Sequence, residues 1–376
     1  MSADEAILTA NRARPIRPGR TLRVVAIGGG TGLSTLLRGL KHYVAPPAGA
    51  STLAASASEG QNSTRWLISD LAAIVTVTDD GGSSGRLRED LNILPPGDVR
   101  NCMVALSEDE HLLSQLFQYR FDSGEGLVGH SFGNLFVAAL SGITGDFKQA
   151  VQMSSQILAA RGHIYPATNT NVALAARMDD GSLVHGETNI TASKHRIAQL
   201  MLEPATVEPL PETLEAIAQA DLITIGPGSL YTSLITNLLV RGIPEALAAA
   251  KGTCVYVCNL MTQANESLGL SASQHIERIH AHTGKPIFDY ALINTSPVSD
   301  ALRARYAAEG AEPIEADLKR IEALGVRPVT GNFVSEGNVL RHDYDRVAEA
   351  LLRIGFQGKG KRVPSRWRKL FRRSTG

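Results

Sequence analysis

From Leu22 to Ile27 the chain reads Leu-Arg-Val-Val-Ala-Ile, an apolar run of strand type, and it ends in Gly28-Gly-Gly-Thr-Gly32. Leu33, Leu36, Leu37 and Leu40 then recur at helical spacing as far as Tyr43. A buried strand that meets a glycine turn and then a helix is a βα unit, and it commits the chain to an α/β fold with parallel strands. Such glycines let the backbone come close to a phosphate, and the helix start offers free N–H groups and a positive dipole end. Gly29, Gly30, Thr31 and Gly32 are therefore candidate phosphate contacts; a tight turn that merely needs glycine is the plainer alternative. The run is not a full dinucleotide fingerprint, because Leu33 stands where the third glycine belongs. Nor does a Lys-Ser/Thr pair follow to make a Walker A loop.

The same alternation continues downstream. Leu71–Thr78 reads as a second strand, almost wholly apolar or β-branched, of the kind covered on both faces in a parallel sheet. Residues 86–160 read as mostly helical, a cap inserted over the ligand cleft. Strands are expected at Val172–Met178, Ser182–Glu187, Asp221–Ile225, 253–258, 288–293 and Val329–Phe333. Helices are expected at Pro211–Gln219, 273–281 and Tyr344–Ile354. The pattern predicts a Rossmann-like, doubly wound, mostly parallel sheet over residues 21–356. Residues 1–20 read as a flexible arm, 46–65 as a small-residue loop insertion, and 357–376 as a basic tail.

Composition narrows the class further. The chain has 376 residues, 43% hydrophobic and 20% charged, a globular profile that excludes wholesale disorder. No apolar run reaches the roughly 20 residues of a spanning helix, and residues 1–20 lack the apolar stretch of a secretory signal. Cys102, Cys254 and Cys258 are too few for a disulfide scaffold, and along a strand Cys254 and Cys258 lie too far apart to share a metal. The formal net charge of zero hides an asymmetry: Lys359–Gly376 holds eight Lys/Arg and no Asp/Glu. Trp367, Leu370 and Phe371 lie among those cations, a pattern that can touch an anionic membrane. A solvated tail is the simpler reading, and nucleic acid is not an expected partner.

Four further motifs carry chemistry. Thr76-Val-Thr-Asp79-Asp80-Gly-Gly-Ser83-Ser84-Gly85 follows a strand, so its groups belong at the carboxyl edge of the sheet. Asp79 or Asp80 can hold Mg²⁺, bind a ribose or act as a base, and Ser83 and Ser84 can line a ligand. In Pro95-Pro-Gly-Asp98-Val-Arg100-Asn101, Asp98 is placed to cap the next helix and Arg100 to reach an anion. Gly129-His130-Ser-Phe-Gly133-Asn134 has the letters of a hydrolase nucleophile elbow, but lacks the strand before the serine; it reads as a glycine-opened helix start, with His130 and Asn134 facing a ligand or bridging elements. Gly226-Pro-Gly228-Ser229 is a second glycine turn after an apolar strand, with Ser229 as helix cap. Two such turns in one sheet can grip a diphosphate from both sides.

Taken in order, these segments, with Asn259-Leu-Met-Thr-Gln263, resemble the YvcK-type gluconeogenesis factors of bacteria, within the CofD-like superfamily. The resemblance runs from about Arg23 to Phe356. It implies a Rossmann-like fold, a cytoplasmic protein and binding of UDP-sugars, notably UDP-N-acetylglucosamine, without any required cofactor. It also implies a role in cell shape and wall synthesis during gluconeogenic growth; a protein partner in wall-precursor synthesis and a homo-oligomer are further expectations. By the same resemblance Gly29 to Gly32 and Gly226 to Ser229 hold the diphosphate, and Tyr306 and Arg341 are ligand candidates. A tyrosine can stack on a base or sugar, and an arginine can pair with phosphate. The CofD branch instead contains Mg²⁺-dependent transferases that join a phospholactyl group to a deazaflavin, which keeps an enzyme with Asp79 or Asp80 on Mg²⁺ as the rival reading. Here Gly-Gly-Ser-Ser-Gly follows the aspartates, as in the YvcK branch. A nicotinamide dehydrogenase is more distant, since the third glycine is missing. The chain departs from the pattern at 46–65, at Gln263-Ala-Asn-Glu266, where Gln-Pro-Gly-Glu is expected, and in its basic tail.

Overall fold

The computed structural model describes residues 20–45, 66–108, 112–264 and 266–359. The arm up to residue 19, the 46–65 insertion and the tail from residue 360 lie outside the described residues.

Seven parallel strands form the central sheet. In chain order they are β1 (Leu22–Gly28), β2 (Ile68–Val75), β3 (His163–Pro166), β7 (Leu222–Ile225), β8 (Thr253–Val257), β9 (Tyr290–Asn294) and β10 (Arg327–Gly331). The intervening β4 (Ala173–Met178), β5 (Leu183–His185) and β6 (Ile197–Glu203) make a separate antiparallel sheet, and β11 (Val334–Glu336) pairs with β12 (Leu340–His342) as a hairpin. The central order is β10-β9-β8-β7-β1-β2-β3. The chain runs outward from β1 through β2 to β3, then returns to the other side of β1 and runs outward again from β7. The switch point therefore falls between β1 and β7, the two strands that end in glycine turns.

Burial follows the sequence pattern. Every residue of β7 and β8 is buried, as expected for strands covered on both faces. Helix α1 (Gly30–Lys41) buries Leu33, Leu36, Leu37 and Leu40, the face its spacing marked out. Between β2 and β3 lie α2 (Gly82–Leu91), α3 (Gly97–Leu106), α4 (Leu112–Gln118), α5 (Phe132–Thr144) and α6 (Phe147–Ile157). Next come α7 (Glu187–Ala192) in the antiparallel lobe and α8 (Pro211–Gln219). After β7 a π-helical turn, Leu230–Ile235, runs into α9 (Thr236–Leu238). The remaining helices are α10 (Ile243–Ala249), α11 (Ala272–Thr283), α12 (Asp300–Ala308), α13 (Leu318–Ala323) and α14 (Tyr344–Gln357). No described helix is long and apolar enough to cross a membrane.

Several boundaries differ from expectation for local reasons. The second strand ends at Val75, not Thr78, because its partner β1 ends at Gly28; Thr76 makes the last bond, to the Gly28 carbonyl. Helix α1 starts at Gly30, so Thr31 and Gly32 belong to its first turn. All three cysteines are free and buried.

Helix α1 packs against α3 and α14. Gly39 makes the second contact possible: a Cβ there would lie 2.3 Å from the Tyr344 carbonyl oxygen at the start of α14. Backbone cannot yield as a side chain can. Gly39→Ala should lower unfolding free energy by about 1–3 kcal/mol, read as a lower urea midpoint. An unchanged midpoint would show that the helices separate freely.

Candidate functional site

The two glycine turns meet at the switch point. A Cβ on Gly32 would lie 2.3 Å from the Pro227 carbonyl oxygen, and one on Gly228 would lie 3.6 Å from the Gly29 carbonyl oxygen. The second turn is held by the loop after β8. Asn259 accepts from the Gly228 N–H at 3.1 Å and donates to the Gly228 carbonyl at 2.7 Å. The Gln263 amide donates to Ser229 Oγ at 2.9 Å. Ser229 thus spends its hydroxyl on Gln263 and does not cap the helix that follows. Glu266 accepts from the Tyr231 N–H and the Thr232 hydroxyl, tying the π-helical turn to the same loop.

Above the turns opens a cleft of about 670 Å³. It brings together Gly29, Gly30, Thr31, Gly32, Asp79, Gly228, Ser229, Tyr306 and Arg341 among the residues singled out above. Tyr306 comes from α12 and Arg341 from β12; the Tyr306 hydroxyl accepts from the Leu340 N–H at 3.0 Å, which fastens helix to hairpin. His342 lies beside them, its Nε2 3.1 Å from the Cys258 carbonyl. Burial pushes its pKa down to about 4, so the ring is neutral and Nε2 carries the donated proton.

The other candidates stand behind this wall. Asp80 turns away and accepts from the Thr188 N–H at 2.9 Å and the Thr188 hydroxyl at 2.6 Å. Ser83, His130 and Asn134 are buried together: Ser83 Oγ is 2.9 Å from His130 Nδ1 and accepts from the Asn134 amide at 3.1 Å. Ser131 is fully buried and N-caps α5 by accepting from the Asn134 N–H, and no strand precedes it, so the elbow reading falls. Arg100 donates to the side chain of its neighbour Asn101 at 2.8 Å and packs over Gly133. Ser84 lies against Gly97, and Gly226 shapes the turn at φ +87°. None of these lines the cleft.

Three carboxyls that sequence reasoning did not place in the site do line it: Asp98, Glu187 and, just after α12, Glu309. Asp98 does not cap α3, because it lies inside the first turn and the cap position is Pro96. Its carboxyl instead accepts from the Gly30 backbone at the start of α1. Burial, with Asp79 nearby, pushes its pKa up to about 6. Glu187, at the start of α7, accepts from the Thr78 hydroxyl at 3.3 Å. Burial and the charges of Asp79 and Asp98 push it up to about 9. One side of the cleft is thus an acidic wall of Asp79, Asp98 and Glu187. The other side, across the glycine turns, is built from 259–264, Tyr306 and Arg341, with Glu309 as its one carboxyl.

A doubly wound parallel sheet with a polar cleft outside the carboxyl ends of its strands, at the switch point, defines a Rossmann-like fold whose cleft lies where such folds take their ligands. The sequence signature described as 2-phospho-L-lactate transferase CofD matches residues 24–334, and the chain belongs to the CofD family. It is similar to a gluconeogenesis factor of Halalkalibacterium halodurans, 48% identical over 88% of this chain and 95% of that one. It is also similar to the gluconeogenesis factor of Bacillus subtilis, 44% identical over 89% of this chain and 98% of that one. A crystal structure of a UPF0052-family protein from Bacillus halodurans superposes with a TM-score of 0.81 at 47% identity, covering 89% of this chain and 99% of that one.

Proposed function

We propose that this chain is a cytoplasmic gluconeogenesis factor that binds a UDP-sugar, with UDP-N-acetylglucosamine the expected ligand, as a signal and not as a substrate. It would couple carbon state to wall synthesis and cell shape, acting on a protein partner in wall-precursor synthesis. The observation that carries the reading is the pair of glycine turns facing each other across the switch point. Backbone that close, at the start of α1, suits a diphosphate. Tyr306 offers a ring and Arg341 a guanidinium within the same cleft, and the similarity to the two gluconeogenesis factors supports the physiological part.

One feature favours the second reading, a CofD-like transferase. Asp79, Asp98 and Glu187 stand close to where a diphosphate would lie, and oxygen donors of this kind suit Mg²⁺. Asp80 is committed to Thr188, so the hard-cation donors would be Asp79 and Asp98.

Calorimetric titration with UDP-N-acetylglucosamine, GDP and NAD, with and without Mg²⁺, separates the readings. Selective UDP-sugar binding without consumption of the sugar nucleotide supports the signal role. A Mg²⁺-dependent preference for GDP moves the protein to the transferases. Arg341 is exposed, and its loss should leave the fold intact. Arg341→Ala should therefore weaken sugar-nucleotide binding about tenfold, as expected for one charge-assisted bond. Unchanged affinity would remove Arg341 from the site.

A further inference from the structure

The antiparallel lobe reaches the cleft at one point, Glu187, and that point is held with unusual care. Gly186 precedes it at φ +87°, and a Cβ there would lie 2.7 Å from Asp80 Oδ2. Thr188 follows it and gives both its N–H and its hydroxyl to Asp80 Oδ1. The Thr78 hydroxyl reaches the Glu187 carboxyl directly, and the Thr76 hydroxyl lies 3.2 Å from that of Thr78. Thr188 is thus bonded to the loop after β2, Gly186 packs closely against it, and Glu187 between them lines the cleft.

Sheet order says which part of a ligand it would meet. The glycine turns follow β1 and β7, in the middle of the edge. Tyr306, Arg341 and the 259–264 loop lie toward β8 and β9; Asp79, Asp98 and Glu187 lie toward β2. A diphosphate across the turns directs its two substituents to opposite sides. The Tyr306 ring suits a nucleobase, which presents a π-face. The acidic side then receives the glycosyl group, whose hydroxyls and amide match carboxyl chemistry.

We propose that Glu187 is the specificity-determining residue for the glycosyl moiety, and that Asp80, through Thr188, is the positioning residue that holds it in the cleft. This rests on the nucleotide-sugar reading above. A carboxyl in its neutral form both donates and accepts, so it can pair with a sugar hydroxyl or an amide in either sense. Such a pairing adds nothing to the binding of UDP alone. Glutamine keeps the shape and the same donor–acceptor pair, whereas alanine keeps neither.

The test is the ratio of affinities for UDP-N-acetylglucosamine and UDP, measured by calorimetry on the full chain. The wild-type protein should prefer the sugar nucleotide by about tenfold. Glu187→Ala should bring the ratio to about one, and Glu187→Gln should keep most of it. Thr188→Val, which removes one of the two bonds to Asp80, should lower the ratio several-fold. A merely structural role would lower both affinities together and leave the ratio alone; that result overturns the proposal, as does a glutamine variant no better than alanine. A wild-type ratio near one overturns it too, while leaving nucleotide binding standing. A wild-type protein that binds neither compound overturns the functional reading and this inference with it.

Discussion

Gly32→Ala should cost this protein both stability and its ligand. The added methyl carbon would stand 2.3 Å from the Pro227 carbonyl oxygen, 2.7 Å from its carbon and 3.0 Å from Gly228 Cα. All three neighbours are backbone, so no rotamer change makes room. Nor can the second turn simply retreat. Asn259 grips Gly228 on both sides, and Asn237 donates to the Gly28 carbonyl at 2.9 Å from the helix beyond. The expected loss is about 3 kcal/mol, the upper part of the overpacking range. Sugar-nucleotide binding should fall below detection, because the turns that face the diphosphate must separate. Gly142→Ala is the control. Nothing lies within 4 Å of the added carbon in helix α5, so the change should leave stability equal or raise it by up to about 1 kcal/mol. Urea unfolding of the two variants decides the matter: equal midpoints for Gly32→Ala and the wild-type protein would mean that the turns do not depend on each other.

The two turns were legible because each is local. An apolar strand, a glycine run and a helix announce themselves within fifteen or so residues, and the order of such units is what a doubly wound sheet requires. Other pieces were not legible for equally physical reasons. β3, His163–Pro166, is short, lies at the sheet's edge and ends in proline, so it shows no continuous apolar run. β6 buries Ile197, Leu200 and Leu202, an irregular spacing that matches neither a strand's nor a helix's period well. In the site, Asp98 looked like a cap because it sits next to a helix start; only the fold shows that α3 brings the carboxyl to Gly30. Glu187 comes from a lobe whose distance from β1 in the chain hides its place in the cleft. Its sole local sign was Gly186, a glycine directly after a strand, and that cannot reveal a partner more than a hundred residues upstream.

The acidic wall should make stability fall as pH rises through the neutral range, and Glu187→Gln should remove most of that fall. Asp98 moves from its ordinary 3.8 to about 6 in the folded protein, and Glu187 from 4.5 to about 9. Both shifts come first from burial, which disfavours the charged form, and then from neighbouring carboxylates. Between the unfolded and folded pKa the native state therefore holds protons that the unfolded chain has released. Stability changes with pH in proportion to protons bound by the unfolded state minus those bound by the native state, so the slope is negative. The contribution is fully present below about pH 4 and is lost as pH rises, through about 6 for Asp98 and about 9 for Glu187. Glutamine carries no proton to lose at position 187. The variant should match the wild-type protein near pH 4.5 and become increasingly more stable toward pH 8.5, by several degrees in thermal midpoint. Parallel midpoint-versus-pH curves would mean that Glu187 is ionised in the folded protein. Mg²⁺ supplies a second check through the same linkage. A cation bound by Asp79 and Asp98 competes with the proton on Asp98, so adding it at pH 8 should raise the wild-type midpoint more than adding it at pH 5. A rise that is the same at both values would place the cation somewhere other than this wall.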